Sequence, residues 1–281
     1  MPTQVWQLFL CMSLATFSLS AEIHRDVEYS RVGDTSLRLD YSIPEGPGPF
    51  PAVIVVHGGA WIRGDKAVDA EPVFAPLEAA HIAWFSINYR LATDILQFGV
   101  AIEDVKASIL FVKQNAGQFR VDPRRIALVG ESAGGQLAAM AALSEDPALS
   151  VAGVVALYTP SDLVALATSS EMVPAQIRNG LKGSPFEGMI MARLKQLSPI
   201  NSVHRGMPPF LFIHGTSDSL VPYEQSTAMC NRMKAVDAAC RVYPVEGGDH
   251  GIRWWESIPA IRGPWKVEMI TWLQDLFGLK A

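Results

Sequence analysis

Residues 125–143 read RIALVGESAGGQLAAMAAL, and they carry the clearest indication of the fold. It opens with an apolar run, passes through glycines on both sides of Ser132, and closes with a segment rich in Ala and Leu. The first part predicts a strand buried on both faces, and the last part predicts a helix. Between them, GESAG at 130–134 matches the G-x-S-x-G pattern of a sharp strand-to-helix turn that carries a nucleophilic serine. We therefore expect Ser132 to stand above one edge of a sheet.

Apolar runs alternate with helical patterns on both sides of this unit. Strands are predicted at 37–43, 52–56, 81–87, 125–129, 151–157, 210–213 and 241–245. Helices are predicted at 73–80, 101–115, 133–143, 223–236 and 265–277. Such alternation is typical of βαβ units and a mainly parallel sheet, so the predicted fold class is α/β. The alternation lapses over about residues 162–208, which we interpret as a modest cap insertion over the carboxyl ends of the strands.

The composition limits the number of domains and the kinds of partner. The chain has 281 residues, of which 49% are apolar, and a formal net charge of −5. One core can hold a chain of this length, so residues 21–281 are predicted to form a single domain. No Lys/Arg run is present, and a phosphate backbone needs clustered cations, so no nucleic-acid partner is expected.

The first residues predict export. The stretch from Val5 to Leu19 is apolar and has no Lys, Arg, Asp or Glu, and small residues follow it. We interpret residues 1–20 as a signal peptide, which places the protein in a secreted or periplasmic compartment. The alternative is an uncleaved anchor. The apolar part is shorter than the roughly 20 residues of a spanning helix, and no later segment is long and apolar enough, so no stable membrane insertion is expected.

The chain has three cysteines, and removal of residues 1–20 would leave two of them. Cys230 lies in a helical pattern and Cys240 opens the following strand. In an oxidising compartment the two could close a small loop as a disulfide. Two buried free thiols are the alternative.

A serine hydroxyl needs a base, and the base needs a carboxylate to orient it. His250 is the best placed of six histidines, in a glycine-flanked loop between the last strand and the final helix. Asp218 follows the strand at 210–213, and Asp162 is its rival. The order Ser132, Asp218, His250 along the chain agrees with the order in α/β-hydrolases. These three residues are the predicted catalytic triad.

An oxyanion must be stabilised by backbone N–H groups that point at it. HGGAW at 57–61 directly follows a predicted strand, and its two glycines let the backbone approach a substrate closely. The predicted donors are Gly58, Gly59 and Ala133. Trp61, Trp254 and Trp255 could line a substrate pocket, although large aromatic residues are also common in cores.

Several of these motifs together resemble a known family. They are HGGAW at 57–61, YR at 89–90, GESAGG at 130–135, residues 214–222, GDHG at 248–251 and LSPI at 197–200. The set is similar to esterases related to hormone-sensitive lipase, and more closely to the bacterial feruloyl and acetylxylan esterase-like branch. This resemblance implies an α/β-hydrolase fold with an eight-stranded sheet, an acyl-enzyme mechanism, and neither metal nor cofactor. Many lipase relatives have a third glycine where this chain has Ala60, which leaves the third donor to Ala60 or to none.

The sequence thus predicts a carboxylic-ester hydrolase with a Ser-His-Asp triad. The resemblance and the predicted compartment favour short-chain or aromatic acyl esters, such as acetyl or feruloyl esters of plant polysaccharide. One alternative is an amide-cleaving relative, of the arylformamidase or peptidase type. Another is a non-catalytic binding protein with the same fold.

Overall fold

The computed structural model describes residues 22–94, 97, 99–169 and 182–279. The predicted signal peptide, and part of the predicted insertion, lie outside these residues.

The core of the fold is one mixed sheet of eight strands, arranged in the order β1-β2-β4-β3-β5-β6-β7-β8. The strands are β1 (Ile23–Val32), β2 (Thr35–Ser42), β3 (Phe50–Val56), β4 (Ala83–Ile87), β5 (Val121–Glu131), β6 (Gly153–Leu157), β7 (Phe210–Gly215) and β8 (Cys240–Val245). The β1/β2 and β2/β4 pairs are antiparallel, and all other neighbouring pairs are parallel. This sheet confirms the predicted α/β class with a mainly parallel, eight-stranded sheet.

Helices follow most of the parallel strands and cover both faces of the sheet. They are α1 (Phe74–Ala79), α2 (Val100–Gln114), α3 (Ala116–Phe119), α4 (Ala133–Ala142), α5 (Leu163–Ser169), α6 (Glu187–Gln196), α7 (Glu224–Lys234), α8 (Ile252–Glu256) and α9 (Pro264–Phe277). Buried residues of α2, α4 and α7 belong to one apolar cluster, and buried residues of α1 and α9 belong to another.

Strand β3 shows why the central strands are continuous apolar runs. Ala52, Ile54 and Val56 belong to the first apolar cluster, whereas Val53 and Val55 belong to the second. Successive side chains of a strand point to opposite faces. Because helices cover both faces here, both sets of side chains must be apolar.

Strand β1 was not predicted, because most of its side chains are exposed and show no clear alternation. It is held by pairing with β2 and by a buried cation. The Lys66 ammonium lies 2.7 Å from Asp40 on β2 and 3.0 Å from Asp26 on β1, and its side chain is only 6% exposed. The strand therefore depends on contacts that are distant in sequence.

The two cysteines predicted to pair lie on neighbouring elements. Cys230 on α7 and Cys240 at the start of β8 are joined by a disulfide, with their Cα atoms 5.6 Å apart. The bond closes a short loop between helix and strand, away from the carboxyl ends of the strands.

The described part of the insertion consists of α5, α6 and a short 3-10 helix at Pro199–Ser202. It packs beside the start of α4, where the Gln136 amide donates to the carbonyl of Leu197 at 2.7 Å. The Ser198 hydroxyl accepts from the Leu163 N–H at 2.9 Å and closes the insertion on itself. Within the described ranges, no helix is both long and apolar enough to cross a membrane.

Candidate active site

Ser132 lies in the sharp turn between β5 and α4, as the GESAG pattern predicts. Its backbone has a φ of 50°, a left-handed conformation that is costly for a residue with a side chain. The Ser132 N–H donates to the Leu157 carbonyl at 2.9 Å, which helps to fix the turn. A Cβ atom at Gly134 would overlap the carbonyl oxygens of Val56 and His57. Glycine is therefore required there for the helix to approach β3 so closely.

Three side chains that are distant in sequence meet above this turn. His250 Nε2 lies 2.9 Å from Ser132 Oγ, and His250 Nδ1 lies 2.8 Å from Asp218 Oδ2. They follow β5, β7 and β8, whose carboxyl ends share one edge of the parallel sheet. The structure thus brings together all three residues of the predicted triad.

Asp162, the rival carboxylate, lies elsewhere and accepts from the Ala165 N–H at 3.0 Å. Asp249, next to the histidine, accepts from the N–H groups of Ser219 and His250 at 2.8 and 2.7 Å. Neither carboxylate has a hydrogen bond to the His250 ring among the described contacts. The hydrogen-bond partner of the imidazole is Asp218.

The Asp218 side chain is fully buried but well supplied with donors. Its Oδ1 accepts from the N–H groups of Leu220 and Val221 at 3.0 and 2.8 Å. Burial by itself raises the pKa of Asp218, but hydrogen bonds with His214 and His250 outweigh it and hold the pKa well below its usual range. Asp218 is therefore an anion whenever His250 needs a partner for a positive charge.

His214 is a buried neighbour of the triad for which the sequence analysis predicted no role. Its Nε2 lies 3.3 Å from Asp218 Oδ2 and 2.8 Å from the Val221 carbonyl, and its Nδ1 lies 2.7 Å from Ser226 Oγ. These contacts fix the ring behind the carboxylate. The position at the end of a buried strand, four residues before Asp218, was the available signal.

The predicted oxyanion loop, residues 57–61, faces the turn at Ser132, but the N–H group of one predicted donor is already hydrogen-bonded. The Gly58 N–H donates to Glu131 Oε1 at 3.1 Å, so Gly58 is not a free donor in this structure. Gly59 has a φ of 111° and begins a tight turn that Ile62 closes at 3.2 Å. Among the described contacts, the N–H groups of Gly59, Ala60 and Ala133 have no hydrogen-bond acceptor.

A cleft of about 550 Å³ opens beside Ser132 and His250. Its walls include the oxyanion loop and the start of α8, with the charged residues Arg63, Asp69 and Arg253. The described residues contain no group of three or more His, Cys, Asp or Glu side chains placed to hold a metal ion.

Of the three tryptophans predicted to line a pocket, only Trp254 does so, with 40% of its surface exposed. Trp255, its neighbour on α8, points the opposite way into the core, where its indole N–H donates to the Asp249 carbonyl at 2.6 Å. Trp61 is also buried, and its indole N–H donates to Gln136 Oε1 at 2.9 Å. The predictions for Trp61 and Trp255 were therefore wrong, because both side chains support the walls from behind.

The sequence profile of the BD-FAE family matches residues 39–233, more than half of the chain. A similar protein is Esterase LipC of Mycobacterium tuberculosis, 33% identical over 218 residues that cover 72% of this chain and 53% of LipC. Esterase LipQ of the same organism is 32% identical, covering 78% of this chain and 54% of LipQ. The chain thus spans about half the length of these relatives.

Solved structures share the fold. A truncated carbohydrate esterase from gut microbiota is 27% identical and superposes with a TM-score of 0.74, covering 92% of this chain and 98% of that one. Esterase 2 of Thermogutta terrifontis, solved with propionate bound, is 22% identical with a TM-score of 0.75, covering 94% of this chain and 96% of that one. Both agree with the eight-stranded architecture described above.

Proposed function

The chain belongs to the BD-FAE family of α/β-hydrolase esterases, and we propose that it hydrolyses carboxylic esters through an acyl-enzyme on Ser132. One observation carries the proposal. The hydroxyl, imidazole and carboxylate of Ser132, His250 and Asp218 form a continuous hydrogen-bonded line at 2.9 and 2.8 Å, at the wall of an open cleft.

In the proposed reaction, Ser132 Oγ attacks the ester carbonyl while its proton moves to His250 Nε2. The Nδ1–H of His250 donates to Asp218, whose negative charge stabilises the imidazolium that forms. His250 then protonates the departing alkoxide, and the alcohol leaves. Water, deprotonated by His250, attacks the acyl-enzyme; the bond between the acyl carbon and Ser132 Oγ then breaks, His250 returns its proton to Oγ, and the carboxylic acid leaves.

The negative oxygen of each tetrahedral intermediate needs donors that are already in place. Gly59, Ala60 and Ala133 have N–H groups without acceptors in the described structure, so we propose these three as the oxyanion hole. The Ala133 N–H also lies at the start of α4, where the helix dipole favours negative charge. Each such donor lowers the barrier by about 3 kcal/mol.

We propose short-chain or aromatic acyl esters as substrates, with acetyl or feruloyl groups on plant polysaccharide as the specific class. The family name denotes bifunctional feruloyl and acetylxylan esterases, and one similar structure is described as a carbohydrate esterase. The open cleft, with the half-exposed Trp254 on its wall, suits a small acyl group beside a sugar ring.

We also propose that the protein acts outside the cytoplasm, in a secreted or periplasmic compartment. The apolar stretch from Val5 to Leu19 and the Cys230–Cys240 disulfide support this, because disulfides persist in oxidising compartments. Fractionation of the native host, with sequencing of the mature amino terminus, tests it. Protein found only in the cytoplasm with two free thiols would contradict it.

The activity is tested with purified protein on a panel of p-nitrophenyl esters and matching anilides. We expect turnover of the esters, and the Ser132→Ala variant should lose about 10⁶-fold in kcat while melting at nearly the same temperature. Faster cleavage of the anilides would favour an amide-cleaving enzyme. No turnover of either class by wild-type protein would favour a binding protein with this fold.

A further inference from the structure

A chain of hydrogen bonds, not used in the mechanism above, runs beneath the active site. Glu131, next to the nucleophile, accepts from the Gly58 N–H at 3.1 Å with Oε1 and from the Tyr158 hydroxyl with Oε2. The Tyr158 hydroxyl oxygen in turn accepts from the Ile252 N–H at 3.0 Å. Ile252 follows the histidine loop, which comprises residues 246–251. One carboxylate and one phenol thus connect the oxyanion loop, the serine turn and the histidine loop.

Both members of the pair are enclosed and close to reacting groups. Glu131 is 8% exposed and Tyr158 is 1% exposed. The Tyr158 ring packs edge-on against the His250 imidazole, with centroids 4.7 Å apart. Tyr158 also has a left-handed backbone, with a φ of 37°. Such strained residues persist only where the surroundings hold them, and they concentrate at functional sites.

The contact at Gly58 has a direct geometric consequence. When Glu131 Oε1 accepts the Gly58 N–H, the orientation of that peptide unit is fixed. The N–H groups of the next two residues, Gly59 and Ala60, continue from this fixed peptide unit, so their directions at the cleft are constrained as well. Donors aimed in advance at the developing charge are the most effective part of an oxyanion hole.

We propose that Glu131 and Tyr158 act as a pair of positioning residues that fix the positions of the oxyanion loop and the histidine loop relative to Ser132. The proposal rests on the esterase function proposed above. The pair needs an ionised carboxylate to accept both donors fully, because a protonated carboxyl must use one oxygen as a donor.

The pKa of Glu131 lies near neutral pH. Burial raises the pKa of Glu131 to about 7, although the hydrogen bonds from Tyr158 and Gly58 lower it. Asp69, across the cleft, raises the pKa further, and a charged His250 lowers it. Acidification therefore protonates Glu131 and weakens its ability to accept both hydrogen bonds.

The test uses Glu131→Gln, Tyr158→Phe and the double variant in the full chain. We expect each single variant to lose about 10-fold in kcat with a smaller change in KM, because each breaks one hydrogen bond that orients the site. The double variant should lose no more than the worse single variant, because the residues act as one unit. Multiplied losses, or unchanged kcat in both single variants, would overturn the proposal.

The pH profile separates positioning from a merely structural role. For the wild type, log(kcat/KM) should show an extra fall of about one log unit as Glu131 is protonated around its pKa of about 7, because the protonated carboxyl resembles the amide of Glu131→Gln. This extra fall should be absent from the profile of Glu131→Gln, because its amide does not titrate. An unchanged profile in Glu131→Gln would count against the pair.

Two variants away from the site serve as matched controls. Glu78→Gln alters a carboxylate that accepts from the Trp84 indole at 3.0 Å, and Tyr29→Phe removes a buried hydroxyl that donates to the Asn88 carbonyl at 2.8 Å. Both should leave kcat and the pH profile unchanged, whatever they do to the melting temperature. A comparable loss of kcat in the controls would show that the effect is general destabilisation.

A second measurement keeps this test separate from the esterase proposal. The rate at which a fluorophosphonate labels Ser132 depends on the nucleophile and the oxyanion donors but needs no substrate. If wild-type protein hydrolyses no ester, the proposed function fails, yet the labelling rates still compare the variants. Slower labelling of Glu131→Gln and Tyr158→Phe than of the controls supports positioning, and equal rates overturn it.

Discussion

Asp218 and Asp249 are neighbouring carboxylates with different partners. Asp218 binds the His250 ring and is fully buried, whereas Asp249, among the residues that the structure describes, binds backbone and hydroxyl donors of Ser219 and His250. We expect Asp218→Asn to lower kcat by roughly 10⁴-fold, because an amide cannot both hold the correct imidazole tautomer and stabilise its charge. The measurement is steady-state kinetics on one ester, with the melting temperatures of the variant and the wild type compared to show that both are folded.

Asp249→Asn is the matched control for this prediction. This substitution removes no described hydrogen bond to the imidazole ring, so kcat should change by less than about 10-fold. Equal losses in the two variants would show that the loop as a whole, and not the Asp218 charge, sets the activity.

Glu131 should also make stability depend on pH. Burial raises its pKa in the folded protein from an ordinary value of 4.5 to about 7. The folded state therefore binds the proton more tightly, so the stabilising contribution is complete below the unfolded pKa and is lost as the pH rises through about 7. The change is on the order of 3 kcal/mol.

The measurement is urea unfolding of the wild type and of Glu131→Gln at about pH 5 and about pH 8. The amide does not titrate. As the pH rises, the free energy of unfolding of the wild type should therefore fall relative to that of the variant. A difference that is independent of pH would mean that Glu131 titrates near its ordinary value.

Some residues of the site could be predicted from the sequence and others could not. Ser132, Asp218 and His250 each follow a predicted strand, and parallel strands bring such positions to one edge. The engagement of the Gly58 N–H depends on a side chain 73 residues away, which no local pattern records. The buried position of Trp255 likewise follows from tertiary packing against Tyr158 and Trp265.

Among the elements, buried strands were predictable and edge strands were not. Residues 52–56 were predicted as a strand and lie within β3, because helices on both faces require a continuous apolar run. The helix predicted at 101–115 is α2, Val100–Gln114, since its apolar spacing reports one buried face. Strand β1 was missed because its stability comes from β2 and from Lys66, and not from its own pattern.

The turn between β5 and α4 depends on the absence of a side chain at Gly134. Gly134→Ala should destabilise the protein by about 2 kcal/mol or more, because its Cβ would meet the backbone of β3 and no flexible side chain could move aside. Thermal and denaturant unfolding provide the measurement, and activity should fall as the Ser132 turn is displaced.

Gly117→Ala is the matched control, since it lies in the short helix α3, where nothing stands within 4 Å of the added methyl group. Alanine also favours a helix, so the change in stability should stay within about 0.5 kcal/mol or be slightly positive. Equal effects at both positions would mean that close approach to β3 does not explain Gly134.

For the whole molecule, the parallel sheet determines where chemistry can occur, and the loops determine what fits there. The triad, the oxyanion loop and Tyr158 all follow the carboxyl ends of strands β3, β5, β6, β7 and β8. The described part of the insertion packs on the start of α4 through Gln136 and supports the site from the side. If the protein is the proposed esterase, we expect the cleft walls near Trp254 and the predicted oxyanion loop to select the acyl group.

The size and lining of the cleft predict how activity depends on acyl length. Each methylene that becomes buried contributes about 0.8 kcal/mol, which would raise kcat/KM about fourfold per carbon. The cleft of about 550 Å³ is open and has Arg63, Asp69 and Arg253 in its walls. The end of a long acyl chain would therefore lie in water or beside charged side chains. On p-nitrophenyl esters from acetate to laurate, kcat/KM should rise over the first carbons, reach a plateau and then fall. A rise that continues to laurate would require a longer apolar groove than the described residues form, and would count against a short-chain or aromatic acyl substrate.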